Sequence, residues 1–233
     1  MVRGLTVWSR EDLAGLVDYP ANQMPVIAPG TVEKLVPGID LWDIWPFRLR
    51  DGSLAEVGGR QIWAALSAPA VGDPGGRHDV ARIRMISTDG AAWSDHGNLF
   101  PDGASLGSRE WAGSCVVRGD RVQAYYTAAG RRGESSPTFG QRIAGAAGRL
   151  VGEGETLGVA DWEEHRQVLV SDGERYHRAD EAEGEPGFIK AFRDPFPFTD
   201  PATGHDHLLF TASEADATTD FNGAIGIARR GQG

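Results

Sequence analysis

Turn-forming residues punctuate this chain so densely that only short extended segments fit between them. Of its 233 residues, 32 are glycine and 13 are proline. Asp-Gly pairs stand at 51–52, 89–90, 102–103 and 172–173, and Gly119-Asp120 separates two apolar runs. Such residues tolerate the backbone of hairpins and tight loops. The runs between them are brief, with strand-like alternation clearest at Val122, Ala124 and Tyr126. The spacing predicts strands over 62–68, 80–87, 114–118, 121–128, 141–147, 167–171, 207–212 and 224–228. No strict β-α-β alternation is present, so the fold class is all-β, with antiparallel sheets in a sandwich or propeller. One short helix is expected near the start. Ser9 stands at the N-cap with Asp12 three positions on, and Leu13, Leu16 and Val17 follow on one face. No composition shift marks a domain boundary, so residues 1–233 read as one domain. The stretches 131–137 and 180–186 read as loops, the carboxylates of the second being solvated.

Composition removes several classes. A net charge of -10 and a pI near 5.0 disfavour nucleic acid and anionic membrane as partners. No apolar run reaches the length of a transmembrane helix, and residues 1–10 have no apolar core of signal-peptide type. The single cysteine, Cys115, makes no internal disulfide and no cysteine-based metal site. The 21 arginines against two lysines, Lys34 and Lys190, reflect genomic base composition. Other signals read as structure. His205-Asp206-His207 has no third ligand nearby and fits a surface turn. Gly152, Gly154 and Gly158 lack the dinucleotide-binding spacing. Cys115 lies in an apolar strand as a buried thiol, and Arg118-Gly119-Asp120 is a hairpin turn.

Three segments combine residue types in a way that suggests chemistry. In Leu41-Trp42-Asp43-Ile44-Trp45-Pro46 a carboxylate sits between two indoles. Indole faces stack on sugar rings, and an adjacent aspartate can attack or stabilise an anomeric carbon. Equally, Trp42 and Trp45 fit a core, with Asp43 capping a turn. Arg109-Glu110-Trp111-Ala112-Gly113-Ser114 again sets an indole beside a carboxylate, with small neighbours that admit a ligand. In Phe192-Arg193-Asp194-Pro195-Phe196, adjacent Arg and Asp point oppositely on a flat strand, so at a strand end one can enter a cleft. A plain Asp-Pro turn with a surface ion pair is the other reading.

Together the segments resemble glycoside hydrolase family 68, the levansucrases, inulosucrases and related bacterial β-fructofuranosidases. The family's Trp-Asp-x-Trp-Pro element resembles Trp42 to Pro46. Its Glu-Trp-Ser-Gly-Ser element resembles Glu110 to Ser114, and its Arg-Asp-Pro element resembles Arg193 to Pro195. Weaker similarity runs from Val7-Trp8-Ser9-Arg10 to Gly223-Ala224-Ile225-Gly226, so the resemblance covers nearly the whole chain. It implies a five-bladed β-propeller with a deep axial pocket for sucrose and a retaining reaction. Asp43 would attack the anomeric carbon of the fructosyl unit and release glucose. Asp194 would stabilise the transition state, and Trp42, Trp111 and Arg193 would line the sugar pocket. The two carboxylates should therefore converge on one pocket. No cofactor and no essential metal are implied. The family is usually extracellular or periplasmic; the sequence itself assigns no location.

The chain departs from the family pattern in three places. Ala112 stands where the family has a serine, whose loss should leave Asp43 less firmly held, and Phe196 stands where histidine is common. The third departure is larger. The family's general acid/base is a glutamate in an Asp-Glu-x-Glu-Arg-type element lying beyond the stretch that resembles Gly223–Ala228, and no glutamate here has that context. At 40–50 residues per blade the length alone would suggest about five blades; the motif order instead implies the first half of a propeller, about three. The expectation is a nucleophile-bearing subunit whose partner, a second polypeptide, supplies the remaining blades and the acid/base glutamate. The partners would thus be sucrose and other fructose-containing sugars, plus that second chain. The alternative is a non-catalytic fructoside-binding propeller fragment. Retention of both Asp43 and Asp194 favours the enzyme, because binding alone needs no attacking carboxylate.

Overall fold

The structure, a computed structural model, describes residues 11, 14–15, 23–28, 30–70, 74–179, 190–218 and 222–229. The chain divides into two compact units, Met1–Glu33 and Lys34–Gly233, and every strand named below belongs to the second. Most of the helix expected after Ser9 lies outside the described residues. Glu11 is helical, and its carbonyl accepts from the Ala14 N–H at 3.1 Å. The acidic stretch 180–186 and the segment Val7 to Arg10 also lie outside them.

Three antiparallel meanders make up the body. The first runs β1 (Ile39–Leu49), β3 (Arg60–Pro69), β4 (Arg82–Thr88) and β5 (Trp93–Asn98), with the short β2 (Glu56–Val57) paired to β3. In the second, β6 (Arg109–Arg118), β7 (Arg121–Ala129) and β8 (Gln141–Val151) pair in turn. Both β9 (Gly158–Ala160) and β10 (Arg166–Leu169) then lie against β8. The third is β11 (Phe192–Thr199), β12 (Asp206–Ser213) and β13 (Gly223–Arg229). The leading strands stand together. β1 pairs in parallel with β6 from Phe47↔Cys115 to Leu49↔Val117, and β11 packs against β6. All-β architecture with three blade-like meanders is what the turn density and motif order imply.

Each junction between meanders has its own core. Phe47, Ile62, Leu66, Ile83, Met85, Phe100, Val122 and Tyr126 fill the first, and Ile143, Phe192, Leu208, Phe210 and Ala212 the second. Val122, Ala124 and Tyr126 alternate into the core as their spacing suggests. Cys115 is buried in the first cluster, and burial pushes its thiol far up. The Ala- and Gly-rich β8 is buried on both faces over 143–148, which small side chains permit where sheets stack closely.

Two differences from the sequence expectation matter. Val80 ends a 3-10 turn, Pro74–Val80, and β4 begins only at Arg82. More important, β1 and β11 are strands despite Pro46, Pro195 and Pro197. Both are edge strands where these prolines fall. β1 meets β6 only from Phe47 onward, and β11 pairs with β12 alone. An edge strand has N–H positions that need no ladder partner, so proline is tolerated there. On β13, Ile225 and Ile227 are 73% and 57% exposed.

Candidate active site

The three leading strands share one irregularity at the same level. Register slips between Trp42 and Trp45 on β1, between Trp111 and Gly113 on β6, and between Arg193 and Phe196 on β11. A bulge re-aims a side chain away from the strict alternation of a strand. At two of these bulges the backbone is left-handed: Asp43 has φ 47° and Asp194 φ 57°. Asp161 is the only other non-glycine residue with positive φ among the described residues. Aspartate tolerates this region better than most side chains. On β6, Gly113 is required by close approach, since a Cβ there would collide with the Tyr125 carbonyl.

One buried hydroxyl joins two of the bulges. Thr127, fully buried on β7, donates from Oγ1 to the Ala112 carbonyl at 3.0 Å and accepts from the Asp194 N–H at 2.9 Å. The Asp194 carboxylate takes a hydrogen bond from the Thr211 side chain and lies 3.5 Å from Arg193 Nε. Adjacent residues on a flat strand would face apart; the left-handed turn at Asp194 brings these two together. Burial pushes the Asp194 carboxyl above its ordinary range. Arg193 and Thr211 oppose that shift, and the like charge of Asp43 adds to it.

The indoles complete the group. Trp111 is buried, packs with Trp42, Ala81, Ala129 and Phe139, and donates from Nε1 to the His78 carbonyl at 3.3 Å. His78 stands edge-on to Trp42, with centroids 5.5 Å apart. The Arg77 guanidinium lies 4.6 Å from the centre of the Trp42 ring. The His78 imidazole also senses both Asp43 and Arg193. Trp42, Asp43, Trp111, Arg193 and Asp194 are thus gathered toward the leading ends of β1, β6 and β11. At the trailing ends, Arg48 lies 5.3 Å over the Phe196 ring and Arg50 pairs with Asp206 at 3.2 Å.

Glu110 belongs to the second motif but not to this group. It is 1% exposed, takes hydrogen bonds from Arg82 Nε and the Ile83 N–H, both at 2.8 Å, and ties β6 to β4. His205 meets Arg229 at 2.8 Å, and Asp206 serves Arg50 and Thr199. Among the described residues no cluster of three or more His, Cys, Asp or Glu side chains could hold a metal. Sequence reasoning missed Thr127, Thr211, Arg77 and His78. A threonine ending a regular strand carries no signal. The run Arg77-His78-Asp79 between two strands was a visible polar cluster that could have been singled out.

Blade-like meanders whose leading strands carry two carboxylates and two indoles at one level define part of a β-propeller. Residues 4–229 match the levansucrase/invertase family, glycoside hydrolase family 68, and the chain belongs to that family. A levansucrase of Pseudomonas savastanoi pv. glycinea is 29% identical over 230 residues, 90% of this chain and 52% of that protein. The levansucrase of Erwinia amylovora is 28% identical with the same coverage. The structure of the inulosucrase from Halalkalicoccus jeotgali bound to kestose superposes with a TM-score of 0.78 at 40% identity, over 88% of this chain and 53% of that one. Bacillus subtilis levansucrase superposes at 0.66 with 25% identity, over 82% and 46%. The chain spans about half the length of the curated relatives it matches.

The Thr127 bridge makes a direct prediction. Thr127→Val keeps the volume but leaves the Ala112 carbonyl and Asp194 N–H without their partner, and should lower stability by about 1–3 kcal/mol in urea denaturation. Thr127→Ser, which keeps the hydroxyl, should retain most of the wild-type stability. Equal midpoints for the valine and serine variants would show that the hydroxyl does not hold the bulges.

Proposed function

We propose that this chain is the nucleophile-bearing part of a retaining, sucrose-cleaving β-fructosyltransferase. The reading rests on one observation: Asp43 and Asp194, on different strands, both occupy left-handed bulges and act on each other electrostatically. Strained backbone of this kind persists where surrounding structure holds it and is concentrated at functional sites. The Asp43 carboxylate attacks the anomeric carbon of the fructosyl unit, and the glycosidic oxygen leaves with glucose, taking a proton from a general acid. Water or a sugar hydroxyl then attacks the fructosyl ester of Asp43, with the same group now removing a proton, so the configuration is retained. Asp194 holds fructosyl hydroxyls and places negative charge beside the oxocarbenium-like transition state. Trp42, Trp111 and Arg193 bound the pocket, and the indoles lower the local dielectric.

The acid/base glutamate comes from polypeptide outside these 233 residues, and we place it on a second chain that supplies further blades. The exposed Ile225 and Ile227 on the outer strand of the third meander support an apolar junction there. Such a junction belongs to the obligate class, above about 2,000 Å². Co-expression with the segment that carries the remaining blades should give glucose release from sucrose. The 233 residues alone should give none; full activity from them would overturn the split arrangement. Fructose binding by the complete assembly with no cleavage would instead fit a fructoside-binding module.

In the assembled enzyme Asp43→Ala should lower sucrose cleavage by at least about 10³-fold with unchanged circular dichroism. Near-normal turnover would end the nucleophile assignment. Asp194→Asn should lose a comparable factor in kcat while still binding sucrose measurably, because its charge and hydrogen bonds count most in the transition state. A variant that loses binding and keeps kcat would contradict that division.

A further inference from the structure

We propose that the Pro74–Val80 turn reads the sugar on the far side of the scissile bond. His78 hydrogen-bonds a hydroxyl of the leaving sugar, and then of the accepting one, while Arg77 holds the Trp42 indole in place. The proposal rests on the fructosyl-transfer reading and goes beyond it by naming what selects the second sugar.

Topology places the turn. It joins β3 to β4, and the end of β3 pairs with the start of β1 through Ile39↔Pro69. The turn therefore lies at the leading end of the axial strands. Their trailing ends are crossed by Arg48 with Phe196 and by Arg50 with Asp206. A disaccharide with its reacting carbon at Asp43 that directs its second ring toward the leading ends meets the turn, where His78 stands edge-on to Trp42.

The turn is also fastened to the site. The His78 carbonyl accepts from Trp111 Nε1 at 3.3 Å, and the Ala81 carbonyl accepts from the Glu110 N–H at 3.0 Å. The Arg77 guanidinium lies 4.6 Å from the Trp42 ring centre, a cation–π contact, with its Nε buried and unpartnered. The His78 side chain is exposed, and among the described residues none hydrogen-bonds its ring nitrogens. Burial, Arg77 and Arg193 favour the neutral imidazole, Asp43 and Asp79 the charged one, and the balance lies below the ordinary value. Neutral imidazole offers one donor and one acceptor, which matches a sugar hydroxyl.

The test compares two fructosyl donors in the assembled enzyme: sucrose, and β-fructosyl fluoride, whose leaving group carries no sugar. His78→Ala should lose about tenfold in kcat/KM for sucrose, the worth of one hydrogen bond. It should shift products from transfer toward hydrolysis and stay within about twofold on the fluoride. His78→Gln, which keeps hydrogen-bonding capacity, should recover most of the sucrose rate. Equal losses on both donors, or no loss on sucrose, would overturn the assignment of His78. A wild-type assembly that releases no glucose from sucrose would sink the fructosyltransferase reading and this proposal with it.

Discussion

Left-handed backbone at Asp43 and Asp194 is the constraint on which the geometry of the site depends. Each such residue costs on the order of 1–3 kcal/mol and survives only where neighbours over-determine it. Here the neighbours are identifiable. Thr127 spends its hydroxyl twice, once on the Ala112 carbonyl and once on the Asp194 N–H, so one buried side chain sets the relation between the bulges of β6 and β11. Register on the two sides of each bulge is pinned by β3 and β12, which confines the irregularity to the residues that carry the carboxylates.

The meanders are then fixed to one another mostly by side chains. Among the described residues, three residue pairs of β1 and β6 form a ladder between meanders. Elsewhere polar side chains bonded to backbone or to buried charge reinforce the apolar cores and a few backbone bonds, such as the Glu110 N–H to the Ala81 carbonyl. Gln141 accepts from the Phe192 N–H at 3.1 Å and donates to the Lys190 carbonyl at 3.0 Å, which anchors the start of β11 on β8. Burial pushes the Glu110 carboxyl up, while Arg82 and the Ile83 N–H pull it down. Removing Arg82 would strand the buried Glu110 charge, which is worse than never having built the pair. Arg109, 1% exposed, meets Glu134 at 3.0 Å and holds the loop after β7 beside the same strand. Motif residues that look alike in the sequence thus divide between two tasks. Glu110 and Arg109 hold meanders and loops together, while Trp111, which follows them, packs against Trp42.

The two axial carboxylates differ in their surroundings in a way that suits the roles proposed for them. Asp194 is held by Thr211, by Arg193 and through its own backbone N–H, so its carboxylate has a defined direction. Asp43 is exposed, with the Trp42 indole preceding it and His78 close enough to sense its charge. Paired carboxylates in unequal environments are the usual means by which one fold separates an attacking group from a stabilising one.

The sequence by itself determined the class of fold and singled out the three segments that carry the candidate site. Glycine, proline and Asp-Gly turns allow only short strands, and alternation at Val122, Ala124 and Tyr126 sets which face turns inward. Indoles beside carboxylates in three ordered segments pointed to Asp43, Trp111 and Asp194. What local pattern could not reveal is that the strands around Asp43 and Asp194 run on through their prolines. Pro46, Pro195 and Pro197 look like breaks until the tertiary structure puts them on open edges, where a missing N–H costs nothing. Nor could spacing show that Arg193 and Asp194 face each other, since that depends on a left-handed bulge stabilised by Thr127, 67 positions away. The turn carrying Arg77 and His78 gains its meaning in the same way. Its distance from Trp42 and Trp111 along the chain is large, and only the stacking of the first two meanders brings it over them.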